Sequence, residues 1–156
     1  MTVPPADFTV PVPIALLPHA QGLPLPAYVT EDAAAVDLMA AVAEDVVIPP
    51  GGRALIPTGV AMAIPRGYEG QVRPRSGLPA KHGIGILNSP GTIDSDYRGE
   101  IKIILFSVSD EPFTVTRGMR IAQFVIHRIP RIVWEETGDL GATARGEGGF
   151  CSTGLR

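Results

Sequence analysis

The sequence predicts an all-β fold, a sandwich or barrel of short strands with one short helix. The first observation is regular punctuation, because glycine, proline and Asp-containing turn signals recur along most of the chain. The second is the set of short apolar runs between those signals, at residues 46–48, 54–64, 69–73, 84–87, 101–108, 113–116, 121–126 and 132–134. Short strands separated by turns are typical of all-β sandwiches and barrels.

The N-terminal segment, residues 1–26, contains seven prolines and therefore cannot form a regular helix. We expect an extended arm whose apolar piece, residues 10–17, adds an edge strand to a sheet. Residues 1–9 are expected to be disordered.

Residues 31–44 favour a helix by propensity alone, because alanines fill much of the segment. The run after the following Pro-Pro-Gly-Gly turn has a different pattern, in which Val60, Met62 and Ile64 alternate with alanines. An alternation of period two predicts a strand.

One local signal predicts the short helix, at residues 76–82. Ser76 is a suitable N-cap, Pro79 lies within the first turn, and Gly83 is a suitable terminator. A single short helix is compatible with a β fold.

Length and composition predict one domain followed by an arm. A chain of 156 residues is long enough to bury one core, and we assign residues 1–137 to a β domain. Residues 138–156 contain six glycines and few apolar side chains. This composition predicts a flexible arm that closes over a ligand, with a disordered terminus as the alternative.

Charge and cysteine content argue against several classes of function. The net charge of −3 provides no excess of positive charge to attract a nucleic-acid polymer. No apolar run approaches the roughly 20 residues that cross a bilayer. The N-terminus lacks the basic residues of a secretory signal. The single cysteine, Cys151, cannot form an internal disulfide. We therefore expect a cytoplasmic protein without nucleic-acid or membrane partners.

A charged turn at residues 91–100, Gly-Thr-Ile-Asp-Ser-Asp-Tyr-Arg-Gly-Glu, is the first candidate site. If the stretch is extended, Asp94 and Asp96 project to one face and Tyr97 to the other. The alternative is a solvated hairpin connection, since Asp, Ser and Gly are common turn residues.

The start of the predicted helix is the second candidate site, because Arg73, Arg75 and Ser76 lie there. Arginine forks, unpaired backbone N–H groups and the helix dipole all favour a phosphate. The alternative is a capped surface helix with incidental arginines.

The sequence lacks the motifs of other nucleotide-binding sites and of zinc sites. Neither a P-loop nor a complete dinucleotide fingerprint is present. The three histidines and Cys151 show no zinc-ligand spacing. What remains is a phosphohydrolase, most economically one that uses Mg²⁺ held largely by phosphates and water, with Asp94 or Asp96 activating a water.

Five stretches in order resemble the five motifs of the trimeric deoxyuridine triphosphatases, and they span residues 33 to 154. They are residues 33–40, 74–77, 91–100, 118–123 and 145–154. The resemblance implies a jelly-roll-like β fold and a homotrimer with shared active sites. It also implies Mg²⁺-dependent hydrolysis of dUTP to dUMP and pyrophosphate, which keeps uracil out of DNA and supplies dUMP for dTMP synthesis.

The resemblance also implies roles for individual residues. Asp94 would activate the attacking water, Asp37 would hold the metal through its water shell, and Tyr97 would lie under the deoxyribose. The phosphates would be bound by Arg75, Ser76, Gly77 and Gln123. Uracil would be read by Asn88 and by the backbone around Thr92, Ile93 and Lys102. The closing arm would contribute Arg145, Phe150, Ser152 and Thr153. In the family the first motif, which here contains Asp37, lies on a strand. The resemblance therefore implies a strand where the alanines of residues 31–44 favour a helix.

Two other functions are alternatives, and the sequence departs from the family pattern at two positions. A deoxycytidine triphosphate deaminase would lack the Asp-x-Asp-Tyr-Arg-Gly arrangement, and a binding or regulatory protein would have no need of Asp94. Cys151 stands where the family usually has glycine, which predicts a stiffer arm that still supports activity. Val36 replaces a larger residue before Asp37 and is expected to affect packing alone.

Overall fold

A computed structural model of the chain describes residues 9–149. Within that range there are ten strands, one α-helix, α1 (Gly77–His82), and one short 3-10 helix, Pro18–Ala20. The strands are β1 (Ile14–Leu16), β2 (Val36–Met39), β3 (Val46–Ile48), β4 (Arg53–Met62), β5 (Tyr68–Arg73), β6 (Ile84–Ile86), β7 (Gly91–Ile93), β8 (Glu100–Ser107), β9 (Phe113–Val115) and β10 (Arg120–Arg128).

Two four-stranded antiparallel sheets form the layers of the molecule. Their strand orders are β1-β4-β8-β6 and β2-β10-β5-β7, and β3 and β9 form a separate two-stranded ribbon. Apolar side chains from both sheets form one core cluster. The prediction of an all-β, jelly-roll-like fold is confirmed.

Buried and exposed side chains alternate along the strands, so one face of each strand lies against the core. In β8, Ile101, Ile103 and Leu105 are buried, whereas Lys102 between them is exposed on the other face. Close packing in the second sheet depends on Gly70, since a Cβ there would lie 2.5 Å from Cε2 of Phe124. That distance is too short for a real contact, so glycine is required at this position.

The N-terminal arm is docked on the first sheet, and its predicted edge strand is confirmed as β1, which pairs with β4. The 3-10 helix that follows is held by Arg117, whose guanidinium donates to the carbonyls of His19 and Gln21 at 2.8 and 2.9 Å. Gly59 makes the docking possible, because it has φ +63° and a Cβ there would collide with Ala20. Residues 1–8 lie outside the described range.

Seven of the eight predicted apolar runs form strands. The eighth prediction is wrong, because residues 132–134 form no strand and Ile132, Val133 and Trp134 are exposed.

The alanine-based expectation of a helix over residues 31–44 is also wrong. Leu38 in β2 is fully buried and Asp37 pairs with β10, so burial and sheet pairing outweigh alanine propensity.

The short helix is confirmed in extent. Gly83 ends α1 in the left-handed conformation, with φ 63°. Ser76 occupies the N-cap position as predicted, but it has helical angles and its side chain makes no capping hydrogen bond.

The segment after β10 continues without helix or strand through residues 129–149, and most of it is exposed. In the part of the chain that the structure describes, no helix is long and apolar enough to cross a membrane.

Candidate active site

The charged stretch at residues 91–100 is a strand followed by a turn. β7 ends at Ile93, and the backbone N–H of Tyr97 donates to the carbonyl of Asp94 at 3.2 Å. The expectation of an extended stretch with an acidic face and an aromatic face is therefore wrong. A local hydrogen bond closes this turn.

Next to this turn lies a small pocket of about 230 Å³. Its lining comprises Thr92, Ile93, Asp94, Tyr97, Glu100, Ile101 and Lys102. Five of the residues assigned to nucleoside binding or catalysis thus share one pocket. Asn88 does not line it, but its side chain lies against Gly91, whose added Cβ would be 3.2 Å from Asn88 Nδ2.

Tyr97 is anchored at the wall of this pocket. Its hydroxyl group donates to the carbonyl of Glu100 at 2.9 Å. Its ring lies over Gly99, where an added Cβ would be 2.6 Å from Tyr97 Cζ. Glycine at position 99 therefore lets the ring lie against the backbone, which fixes its position beside the pocket.

Glu100 is the most highly connected side chain of this region. Its Oε1 accepts hydrogen bonds from His19 Nε2 at 2.7 Å and from the Gly59 N–H at 2.8 Å, and its Oε2 lies 3.6 Å from Lys102 Nζ. Burial alone would raise the pKa of Glu100. The hydrogen bonds from His19 and Gly59, together with the charges of His19 and Lys102, outweigh burial and lower the pKa below its ordinary value of 4.5.

A larger cavity of about 350 Å³ is also lined by residues of this turn. Asp94 lines both cavities, whereas Asp96 lines only this larger one, with Arg66, Glu69 and Arg131 among the other lining residues. The residue chemistry alone left either carboxylate as the candidate base, and the family resemblance implied Asp94. Of the two aspartates, Asp94 alone lines the pocket that contains Tyr97, which agrees with the assignment of the base to Asp94.

A second polar cluster lies at the far end of the β2-β10-β5 sheet. Arg75 Nε donates to Asp37 Oδ1 at 2.8 Å, and Arg120 Nη1 donates to Asp37 Oδ2 at 3.1 Å. Arg75 Nη1 also donates to the Arg120 carbonyl at 3.3 Å. One carboxylate thus holds two guanidinium groups side by side, which concentrates positive charge at the start of α1.

The other predicted phosphate-binding residues lie beside this cluster. Gln123 pairs with Asp37 across the strands, and its Nε2 donates to the Pro74 carbonyl at 2.8 Å, which holds the chain just before Arg75. Ser76 and Gly77 are exposed. Gly77 has no positive φ, and a Cβ there would meet nothing within 4 Å. The fold itself does not require glycine at this position.

Two further arginines, Arg73 and Arg98, form hydrogen bonds that support the fold. Arg73, assigned to the anion site by sequence, instead donates to Gln71 and to His127. Arg98 caps the turn by donating to the carbonyls of Ser95 and Tyr97. Nε and Nη2 of Arg73 thus have partners within its own strand and on β10, and a role of Arg73 in phosphate binding stays a prediction.

The two clusters are well separated within one chain. Gly70 pairs with Ile93, so Asp94 lies level with Glu69, six residues before Arg75. At about 3.3 Å per residue, this corresponds to roughly 20 Å. A triphosphate chain does not span that distance.

Asp37 is the acidic residue predicted to hold a metal ion. Within residues 9–149, no group of three or more His, Cys, Asp or Glu side chains could hold a metal ion. Both Asp37 oxygens already contact arginines. Mg²⁺ keeps several waters and often takes one or two carboxylates plus phosphates. The residues therefore fit a cation that arrives with a phosphate ligand and contacts Asp37 through water.

Only one of the predicted substrate-binding residues of the C-terminal arm, Arg145, lies among the residues that the structure describes. Arg145 is exposed, and its Nε donates to the Gly148 carbonyl at 2.8 Å within a turn. Phe150, Cys151, Ser152 and Thr153 lie outside the described residues. Their predicted roles and the effect of Cys151 remain predictions.

Sequence reasoning missed three residues of the site. Arg120 lies two residues after Gly118 in the fourth motif, which was a usable signal. Glu100 ends the third motif, but its contacts come from distant segments. His19, which reaches Glu100 from 81 positions away, carried no local signal.

The protein is thus a jelly-roll with a carboxylate beside a nucleoside-sized pocket and a second carboxylate that holds two arginines, an arrangement suited to a phosphate-bearing ligand. The family model described as dUTPase matches residues 21–154, and the chain belongs to the dUTPase family. This assigns it to the dUTP diphosphatases, a class of nucleotide-metabolising hydrolases, as the motifs predicted.

Three relatives illustrate the similarity. The chain is 60% identical over 140 residues to a deoxyuridine 5'-triphosphate nucleotidohydrolase of Mesorhizobium japonicum, covering 88% of this chain and 87% of the relative. It is 55% identical over 145 residues to a deoxyuridine 5'-triphosphate nucleotidohydrolase of Wolbachia pipientis subsp. Culex pipiens, and the match covers 92% of this chain and 95% of that relative. A mutant Staphylococcus bacteriophage 80alpha dUTPase, solved with dUpNHpp, aligns with TM-score 0.83 and 27% identity over 94% of this chain and 100% of its own.

Proposed function

We propose that this protein hydrolyses dUTP to dUMP and pyrophosphate, with Asp94 activating the water that attacks the α-phosphorus. The reaction would keep uracil out of DNA and supply dUMP for dTMP synthesis, and the proposed location is the cytoplasm. The observation that carries the mechanism is that Asp94 and Tyr97 line the same pocket. A carboxylate is thereby placed beside the surface on which the sugar would lie.

The pocket suits a pyrimidine deoxynucleoside. Thr92 and Ile93 belong to β7, the edge strand of its sheet, and Asn88 lies beside Gly91. These groups would read the edge of uracil by hydrogen bonds and leave no room for the thymine methyl group. The anchored ring of Tyr97 would lie under the deoxyribose and exclude a 2′-hydroxyl group. Lys102 lies at the same wall.

The arginine cluster suits the phosphates. Arg75 keeps Nη2 without a hydrogen-bond partner among the described residues while Nε holds Asp37. The open space around Gly77 would let a phosphate approach the backbone closely. Ser76 and Gln123 would contribute side-chain hydrogen bonds. Charge neutralisation at fixed positions would supply much of the rate acceleration.

Mg²⁺ would enter with the triphosphate and neutralise part of its charge. Asp37 would hold its water shell. In this role Asp37 keeps its contacts to Arg75 and Arg120, so the carboxylate orients cationic groups as well.

A homotrimer with shared active sites is the proposed assembly. The support is the separation of about 20 Å between Asp94 and Arg75 along β5, since one chain cannot present both to the same triphosphate. A second copy that places its Arg75 cluster against the Asp94 pocket would complete a site. The exposed apolar side chains of Ile132, Val133 and Trp134 would be covered by such a partner.

The domain division remains part of the proposal. Residues 1–137 would form the β domain, and residues 138–156 would close over the bound nucleotide. Phe150 would stack on uracil, and Arg145, Ser152 and Thr153 would contact the γ-phosphate. Closure would exclude water other than the nucleophile.

Pyrophosphate release with Mg²⁺ tests the proposal, using dUTP, UTP, dTTP and dCTP as substrates and Asp94→Asn as the matched variant. We expect release from dUTP alone and its loss in the variant. Binding of dUTP without cleavage of any nucleotide would overturn the catalytic proposal and support a binding or regulatory protein.

A further inference from the structure

We propose that His19 is a positioning residue for the nucleoside pocket and acts through Glu100 on Tyr97 and Lys102. The inference rests on the proposed function, since it concerns how tightly the same pocket selects a deoxynucleotide. It assigns a role to the N-terminal arm, which lies outside the five motifs.

The contact between the arm and the pocket is direct. His19 Nε2 lies 2.7 Å from Glu100 Oε1, although the residues are 81 positions apart. An ionised carboxylate only accepts hydrogen bonds, so His19 donates from Nε2. Glu100 keeps only 12% of its side chain exposed, whereas His19 keeps 40%. His19 therefore covers the carboxylate from the solvent side.

The arm is held firmly enough to act as a support. Arg117 donates to the carbonyls of His19, Gln21 and Val42. The Leu17 N–H donates to the Gly59 carbonyl at 2.8 Å. Since the Gly59 N–H in turn donates to Glu100, the arm, the bulge of β4 and Glu100 form one connected network.

Glu100 connects this hydrogen-bond network to the pocket. Its carbonyl accepts the hydrogen bond that anchors Tyr97, and its Oε2 attracts Lys102. Both of those residues line the pocket, as does Glu100 itself. Displacement of Glu100 would loosen the wall on which the deoxyribose is proposed to lie. The discrimination between dUTP and UTP is therefore the property most sensitive to His19.

The test uses the full chain with three substitutions at the arm. His19→Ala removes the donor, His19→Gln restores a donor from its amide group, and Gln21→Ala is the matched control. Gln21 lies in the same segment, is exposed, and contributes a backbone carbonyl that the substitution preserves. The readouts are KM and kcat for dUTP and UTP, with the melting temperature as a check on folding.

We expect His19→Ala to raise KM for dUTP about fivefold with little change in kcat, and to lower the dUTP-to-UTP ratio of kcat/KM by a similar factor. His19→Gln should recover most of both values, and Gln21→Ala should match the parent protein. Glu100→Gln, which keeps the side-chain shape and weakens the ion pair, should shift the same ratio in the same direction.

Two outcomes would overturn the inference. One is a lower melting temperature in His19→Ala with an unchanged dUTP-to-UTP ratio, which would indicate structural support alone. The other is an unchanged KM and ratio in both His19→Ala and Glu100→Gln. Failure of the proposed function would differ, because the parent protein itself would then cleave no dUTP.

Discussion

Arg75 donates to Asp37 at 2.8 Å, so the residue proposed to bind phosphate and the residue proposed to hold the metal water shell contact each other. Arg120 contacts the other oxygen of the same carboxylate. The pairing orients both guanidinium groups before any ligand binds, and preorganised charge of this kind lowers the cost of stabilising a transition state.

Asp37→Asn should lower kcat/KM for dUTP at least tenfold and raise the Mg²⁺ concentration needed for half-maximal rate. The amide keeps the shape but loses the charge that orients two arginines and attracts the cation. Titration of the rate with Mg²⁺ measures both effects. Asp45→Asn, at an exposed position next to β3, is the control; equal Mg²⁺ requirements in the two variants would contradict the role of Asp37.

Asp94→Asn should lower kcat by about 100-fold or more, the range expected when a positioned base is removed. Asp96→Asn should retain most of the activity, because Asp96 does not line the pocket that contains Tyr97. Single-turnover rates at saturating dUTP measure the difference. The assignment of the base would be reversed if Asp96→Asn were the less active of the pair.

Gly77→Ala should leave the free energy of unfolding nearly unchanged and raise KM for dUTP. The folded chain has space for the methyl group, so the cost would fall on the approaching phosphate. Gly70→Ala is the contrasting variant, since its Cβ would overlap the Phe124 ring and should destabilise the fold by about 1–3 kcal/mol. Urea unfolding and steady-state kinetics together separate the two effects. An unaffected KM in Gly77→Ala would argue against a phosphate at this position.

Mixing two inactive variants should restore activity if sites are shared. Arg75→Ala and Asp94→Asn damage different clusters, roughly 20 Å apart in one chain by strand rise. After unfolding and joint refolding, some sites would combine an intact Arg75 from one copy with an intact Asp94 from another. Each variant refolded alone is the control. A mixture no more active than its components would show that each site is built from a single chain.

Acid should destabilise the parent protein more than Glu100→Gln. The pKa of Glu100 is lowered in the folded state, so its ionised form contributes stability at pH values above the unfolded-state pKa of about 4.5. That contribution is lost as the pH falls through the lower folded-state pKa. Urea unfolding from neutral pH to below this interval measures it. Parallel curves for the two proteins would contradict the prediction.

Local patterns were sufficient for much of the fold. Alternation of period two and glycine or proline punctuation located most of the strands, because each strand has one face toward the core. The end of α1 at Gly83 followed from the freedom of glycine at positive φ. The same local signals were wrong for β2, where alanine propensity favours a helix and pairing with β10 forms a strand. They were also wrong for residues 132–134, whose apolar side chains have no partner strand in the described chain.

The sequence alone determined the family and the candidate reacting groups, because five motifs contain the carboxylates, arginines and glycines that phosphate chemistry requires. Only the tertiary structure decided which of these groups meet. It paired Asp37 with both Arg75 and Arg120, directed Arg73 to His127, and brought His19 to Glu100. Such contacts depend on sheet register and on docking between segments distant in sequence, and no local pattern of residues encodes them.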